Sequence, residues 1–118
     1  MAEGKRFERV PLGDLPPIAC PCGTARRAFT ESDPESPVSV HLVETGPEAE
    51  LHWHKEHTEI YVILEGQGEL ELDGERIPVK PLDAILIRPG CRHRSCASFK
   101  LLNISSPAFD AADKWKES

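Results

Sequence analysis

Four side chains could do chemistry together: His52, His54, Glu59 and His93. Imidazole nitrogens and carboxylate oxygens are the donors that hold divalent first-row transition metals. His52 and His54 are separated by one residue. On a β-strand, residues i and i+2 project from one face, about 7 Å apart along the chain, so the two imidazoles can converge on a single ion at ~2.0–2.2 Å. Trp53, between them, points the other way. Glu59 follows His54 at an odd offset and would face away if the strand ran straight. Lys55, Glu56, His57 and Thr58 must therefore turn or bulge, and Glu59 must open the next strand, whose residues Glu59, Tyr61 and Ile63 then share the inner face. His93 lies beyond any local spacing and needs the chain to return; Pro89-Gly90 sets a tight turn just before it. The expected cofactor is one divalent transition metal ion, with Fe, Mn, Ni, Zn and Cu all compatible with three histidines and a carboxylate. Octahedral coordination would leave two positions for water, substrate or dioxygen.

Other reactive residues each have a plainer reading. His57 shares the parity of Glu59 and could be a substitute ligand or sit at the mouth of the site. With four better-placed ligands present, an exposed turn histidine is the expectation. His41 either points inward as a polar group beside the site or is a core histidine satisfied by hydrogen bonds. Tyr61 and Trp53 read as core residues. Arg26, Arg27, Arg88, Arg92 and Arg94 are solvated or paired with the surplus of carboxylates; any that enters the interior would favour an anionic ligand, because guanidinium forks bind carboxylate and phosphate. Cys20-Pro21-Cys22 has one residue between its thiols, too few for the usual zinc or redox spacing, so a structural turn with free thiols is expected.

The elements that must position these groups are short strands. VSVHLVET from Val38, a short strand over Glu50 to His54, the β-branched run EIYVILE from Glu59, the alternating pair around Asp73-Gly74, Leu82 to Ile87, His93 to Ala97 and Phe99 to Ile104 all read as strands. Asp-Gly suits a type I′ hairpin turn, which needs positive φ at both central residues. Frequent turns and the lack of a helical crossover pattern exclude a parallel α/β sheet and predict an all-β sandwich or barrel. Residues 1–37 hold six of the eleven prolines, which forbids a long helix or central strand. They also hold Phe7, Val10, Leu12, Leu15, Ile18 and Phe29, so an irregular arm packed on the domain or on a partner subunit is expected, with one short strand near Ala25 to Thr30. At the far end, over 106–118, Asp110 can cap a short helix whose apolar residues are Ala108, Ala111, Ala112 and Trp115.

The 118 residues make one domain, and 38–105 its strand-rich body. A net charge of −6 and a pI near 5.3 argue against a nucleic-acid partner. No apolar stretch is long enough to span a membrane, and the N-terminus carries no apolar signal core. A cytoplasmic setting follows, where the four cysteines, Cys20, Cys22, Cys91 and Cys96, are expected to be mostly reduced thiols.

The motif spacing resembles that of the cupins, small jelly-roll barrels of the double-stranded β-helix type. Their first motif runs glycine, five residues, His-x-His, three or four residues, glutamate, six residues, glycine. Gly46, His52, His54, Glu59 and Gly66 match every fixed position. In the second motif Gly90 and His93 match, whereas Leu82, Arg88 and Ala97 replace its first glycine, proline and asparagine. The resemblance covers about residues 38–105 and implies a jelly-roll barrel, a metal on His52, His54, Glu59 and His93, a small-molecule ligand and a homodimer. It also implies a metal-dependent enzyme of dioxygenase or isomerase/epimerase type, or a non-catalytic binding or sensing module. Isomerisation needs a general base, for which His41, His57 and Tyr61 are the candidates.

Overall fold

Period-two alternation builds nearly all of the protein. The computed structural model describes residues 6–20, 22–30, 36–110, 112–113 and 115–116. After a single 3-10 turn at Leu12–Asp14 come the strands β1 (Ile18–Cys20), β2 (Gly23–Ala28), β3 (Ser39–Thr45), β4 (His52–Trp53), β5 (Thr58–Glu65), β6 (Gly68–Leu72), β7 (Glu75–Val79), β8 (Ala84–Ile87), β9 (His93–Ser95), β10 (Lys100–Ser106) and β11 (Trp115–Lys116). A six-stranded sheet has the order β1-β2-β3-β10-β5-β8, and a five-stranded sheet the order β11-β4-β9-β6-β7. All pairings are antiparallel. The all-β class expected from the strand pattern is the one observed. Among the described residues no helix is long and apolar enough to cross a membrane.

Three expectations are corrected. No ladder joins the two sheets into a closed ring among the described residues, so the architecture is two facing antiparallel sheets. The C-terminal helix, part of which falls outside the described residues, is not formed by those that are described. Trp115–Lys116 instead pair with Trp53 and His52 of β4. A helix of one or two turns is marginal in isolation, whereas the open edge of β4 offers ready hydrogen-bond partners. Finally, Cys20 and Cys22 are joined in a disulfide, with Cα atoms 5.2 Å apart. The β1–β2 hairpin doubles the chain back between them and brings them within bridging distance. Cys91 and Cys96 are free thiols.

The N-terminal region adds two strands to the sheet where one was expected: β2 pairs along β3 from Gly23↔Thr45 to Ala28↔Val40. At the β6–β7 turn, Asp73 and Gly74 have φ of 49° and 86°, the twin positive values that a type I′ turn requires. Gly66 ends β5 with φ +101°, where a Cβ would come within 2.6 Å of the Ser98 carbonyl oxygen. The close pass of the two segments therefore depends on glycine.

The inner face of the six-stranded sheet is graded along the strands. One row across it, Ala25, Val43, Leu101 and Ile63, is apolar. With Leu70 and Val79 from the facing sheet and Phe99 it forms the core, where burial drives folding. The next inward-facing row is Arg27, His41, Asn103 and Tyr61, and the one after it Ser39, Ser105 and Glu59. Two residues along each strand, the core thus gives way to a buried polar end. His41, Glu59, Ser39 and Ser105 are at most 3% exposed. Such a concentration of buried polar groups is costly unless they are hydrogen-bonded or hold a ligand.

Candidate metal centre

Both sheets contribute to that polar end. His52 on β4 stands directly across from His93 on β9, His54 follows β4 by one residue, and Glu59 comes from β5 in the opposite sheet. The turn that sequence spacing demanded between His54 and Glu59 is present at 55–57. One potential ligand atom from each of the four residues lies within 4.8 Å of all the others, and all four residues are buried. Donors ~2.1 Å from a common ion would be separated by about 3–4 Å, so the cluster has the size of a coordination sphere.

Each histidine is oriented by its far nitrogen. His52 Nδ1–H donates to the Glu50 carbonyl at 3.1 Å, His54 Nδ1–H to the Asp113 carbonyl at 2.5 Å, and His93 Nδ1–H to the Cys91 carbonyl at 2.8 Å. A carbonyl only accepts, so the proton must sit on Nδ1, and the Nε2 lone pairs are left for the centre. Glu59 is oriented the same way. Asn103 Nδ2 donates to its Oε2 at 2.6 Å, and Oε1 faces His93 Nε2 at 3.1 Å and His54 Nε2 at 3.4 Å. Glu59 Oε1 and His93 Nε2 are buried without a hydrogen-bond partner. Two orphaned acceptors aimed at each other need a cation between them, and this set fits a divalent transition metal.

The electrostatics favour the ligand forms. Burial, with the neighbouring His93, pushes His52 down to about 4, which keeps it neutral. Burial is also the largest influence on Glu59 and opposes its charge, yet contacts with His54 and His93 hold its carboxyl well below the usual range. At His54 burial again opposes charge, but Glu59 and the Asp113 carbonyl outweigh it and raise its pKa. The Glu59 carboxylate thus demands positive charge beside it, as a proton on His54 or as an ion.

The three candidate bases separate. His41 lines a cavity of about 50 Å³ at the centre, together with Arg27, Tyr61, Asn103 and Phe109. Its Nε2 lies 2.8 Å from the Ser39 hydroxyl, and burial followed by the Arg27 charge pushes it down to about 4. Tyr61 also lines the cavity, where burial raises its phenol well above the ordinary value; at neutral pH it is a hydrogen-bond donor rather than a base. His57 corrects the exposed-turn reading. It is 2% exposed and outside the cavity wall, with Nδ1 2.6 Å from the Asp113 carboxylate and Nε2 accepting the Asp110 N–H at 3.2 Å.

Two contributors escaped sequence reasoning. Asn103 occupies the second of three alternate positions, Leu101, Asn103 and Ser105, on one face of β10, a parity visible in LLNISS once the strand is placed. Asp113 had no local signal. Its carboxylate accepts the backbone N–H groups of Lys55, Glu56 and His57 at 2.8–3.2 Å, so the C-terminal segment holds the loop between the ligands.

The sequence model of the family described as a cupin domain matches residues 39–98, just over half of the chain. A solved structure of a protein from Planctomyces limnophilus is 40% identical with a TM-score of 0.86, covering 92% of this chain and 96% of that one. An ectoine synthase from P. lautus is similar in fold, with a TM-score of 0.74 at 21% identity over 95% of this chain and 91% of its own. An uncharacterized protein of Methanocaldococcus jannaschii is 37% identical over 76 residues, 61% of this chain and 61% of that protein. The chain therefore spans less than two thirds of that relative's length. The first-motif resemblance is borne out: the chain belongs to the cupin domain family.

Proposed function

We propose that the chain binds one divalent transition metal ion through His52, His54, Glu59 and His93, and that it is a metal-dependent enzyme acting on a small organic molecule. The carrying observation is the pair of buried, partnerless atoms, Glu59 Oε1 and His93 Nε2, at the focus of three oriented imidazoles. A bound ion would supply Lewis acidity or oxygen activation at this end of the sheets. The chain's own residues orient the ligands through Glu50, Cys91, Asn103 and Asp113, and the packed rows below exclude water.

Of the two reaction types, the dioxygenase type asks less of the residues present. Isomerisation or epimerisation needs a base within reach of the substrate, and Tyr61 is held protonated while His57 is not part of the cavity wall. His41 alone remains. The same shortage of bases favours a second reading, a non-catalytic cupin that binds or senses a small molecule. A homodimer completes the proposal. Its support is the outer face of the six-stranded sheet, where Ile60 and Leu86 are neighbours in register and exposed by 37% and 50%.

Elemental analysis of protein purified without chelators or metal-affinity steps tests the centre. About one equivalent of metal is expected in the wild type, and a loss of most of it on H52A/H54A substitution. Equal metal content in the two proteins would end the reading. Oxygen uptake by the Fe(II)-loaded protein in the presence of substrate distinguishes the dioxygenase type from the binding module.

A further inference from the structure

Of the five arginines singled out in the sequence, four are accounted for. Arg26 donates from Nε to the Leu15 carbonyl at 2.9 Å and reaches Glu44. Arg88 is exposed. The Arg92 guanidinium lies over the Trp53 ring at 4.0 Å and donates to the Gly90 carbonyl. Arg94 is held by Glu71 at 2.9 Å and by Glu48 at 3.5 Å. Arg27 and Arg94 both line the cavity, but Arg27 lacks the carboxylates that hold Arg94 and stands beside His41, its register partner on β3. Its Nε is buried without a hydrogen-bond partner. Its guanidinium carbon lies 4.5 Å above the Phe109 ring, a contact that fixes the plane of the fork while leaving its edge available.

A partly buried guanidinium with an unsatisfied N–H is costly unless a counter-charge arrives. The chain offers little of one. Glu59 is the single carboxylate in the cavity wall, and Asn103, His54 and His93 already surround it. With a divalent ion in place, positive charge at the centre exceeds the charge of Glu59, and Arg27 adds to the excess. The cavity of about 50 Å³ has room for only a few waters, which restricts an enclosed ligand to a small one.

We propose that Arg27 is the specificity-determining residue of this site and that the ligand is a small organic carboxylate, its carboxylate group taken by the Arg27 fork. This rests on the metal-centre reading above and adds the substrate class to it. Planar bidentate pairing is the geometry that guanidinium and carboxylate share, and the Phe109 ring holds the fork ready for it.

Glycolate and its neutral analogue glycolamide serve as probes, titrated calorimetrically into Mn(II)-reconstituted protein whose metal content is measured on the same samples. Wild type and the exposed-site variant R88Q are expected to bind glycolate, with glycolamide at least about tenfold weaker. R27Q should weaken glycolate at least about tenfold at unchanged metal content, and R27K should recover part of the loss. Equal glycolate affinity in R27Q and wild type, equal binding of the two probes, or no binding of glycolate by the metal-loaded wild type would each overturn the assignment. Should the wild type take up no metal, the metal-centre reading fails by itself. Glycolate titrated into the metal-free protein then reads Arg27 alone, and binding that is absent or indifferent to R27Q overturns the carboxylate assignment.

Discussion

His41 shows how a single side chain couples the site to stability. Its imidazole is 2% exposed, and burial with the Arg27 charge takes its pKa down to about 4 from an ordinary 6.5. Between those values the unfolded chain binds a proton that the folded chain refuses, so stability rises with pH across this window and is lost as pH falls from about 6.5 to about 4. The size for one such group is on the order of 3 kcal/mol. In urea titrations of the metal-free protein at a series of pH values, the unfolding free energy should therefore drop on the acid side of neutrality. H41Q should flatten that slope by about the contribution of one proton; an unchanged slope would show that His41 is not the group refusing it. His52, shifted in the same direction, accounts for part of the slope that remains. Glu59 is also legible at this scale, because the odd offset from His54 required it to belong to a new strand, and it lies on β5, one residue after the strand begins at Thr58. Asn103 is not. It reaches Glu59 across the β5–β10 ladder, and no local spacing describes a partner 44 positions away.

Elements show where the sequence pattern departs from need. The β7–β8 turn places Leu82 at φ +74° and 81% exposed, at the position where the cupin pattern has glycine. A leucine in the left-handed region costs about 1 kcal/mol or more, and its exposed side chain gains little from burial. L82G is expected to stabilise the protein by about 0.5–1 kcal/mol, after allowance for the larger entropy of glycine in the unfolded chain; a lower midpoint of thermal unfolding would contradict this. The C-terminal segment works in the opposite sense. Through Asp113 it accepts three backbone N–H groups of the 55–57 loop and orients both His57 and His54. D113A should therefore cost about 2–4 kcal/mol and weaken metal binding about 10–100-fold, read by denaturant unfolding and competitive metal titration. Metal affinity within twofold of wild type would mean that the 55–57 loop and His54 keep their places without the Asp113 carboxylate. Residues 106–118 read in sequence as a helix because their alanines recur at helical intervals. The edge of β4 decided otherwise, since an available ladder outweighs a weak local propensity.

At the scale of the whole molecule, the two sheets differ in what they leave outside. The outer side of the six-stranded sheet carries a row of Val40, Ile104, Ile60 and Leu86, of which Ile60 and Leu86 are substantially exposed. Contiguous apolar surface of this kind marks interaction sites. Sedimentation equilibrium at micromolar concentration is expected to give a dimer, and I60E/L86E a monomer that keeps its metal. A monomeric wild type would remove the homodimer from the proposal. Legible in the chain alone are the material of the site and the class of fold: a His-x-His pair at β4, a glutamate on the next strand beyond an intervening turn, a hairpin at Asp73-Gly74, and strands where apolar residues alternate. All of these follow from backbone periodicity and local sterics, which act over a few residues. Four outcomes lie beyond that range: His93 pairs across from His52, Asn103 and Asp113 hold the ligands in place, Cys20 and Cys22 are bonded, and of the five arginines Arg27 lines the cavity with no carboxylate partner among the described residues. Those outcomes depend on which strands become neighbours, and that is set by long-range pairing and by the burial of one face of each sheet against the other.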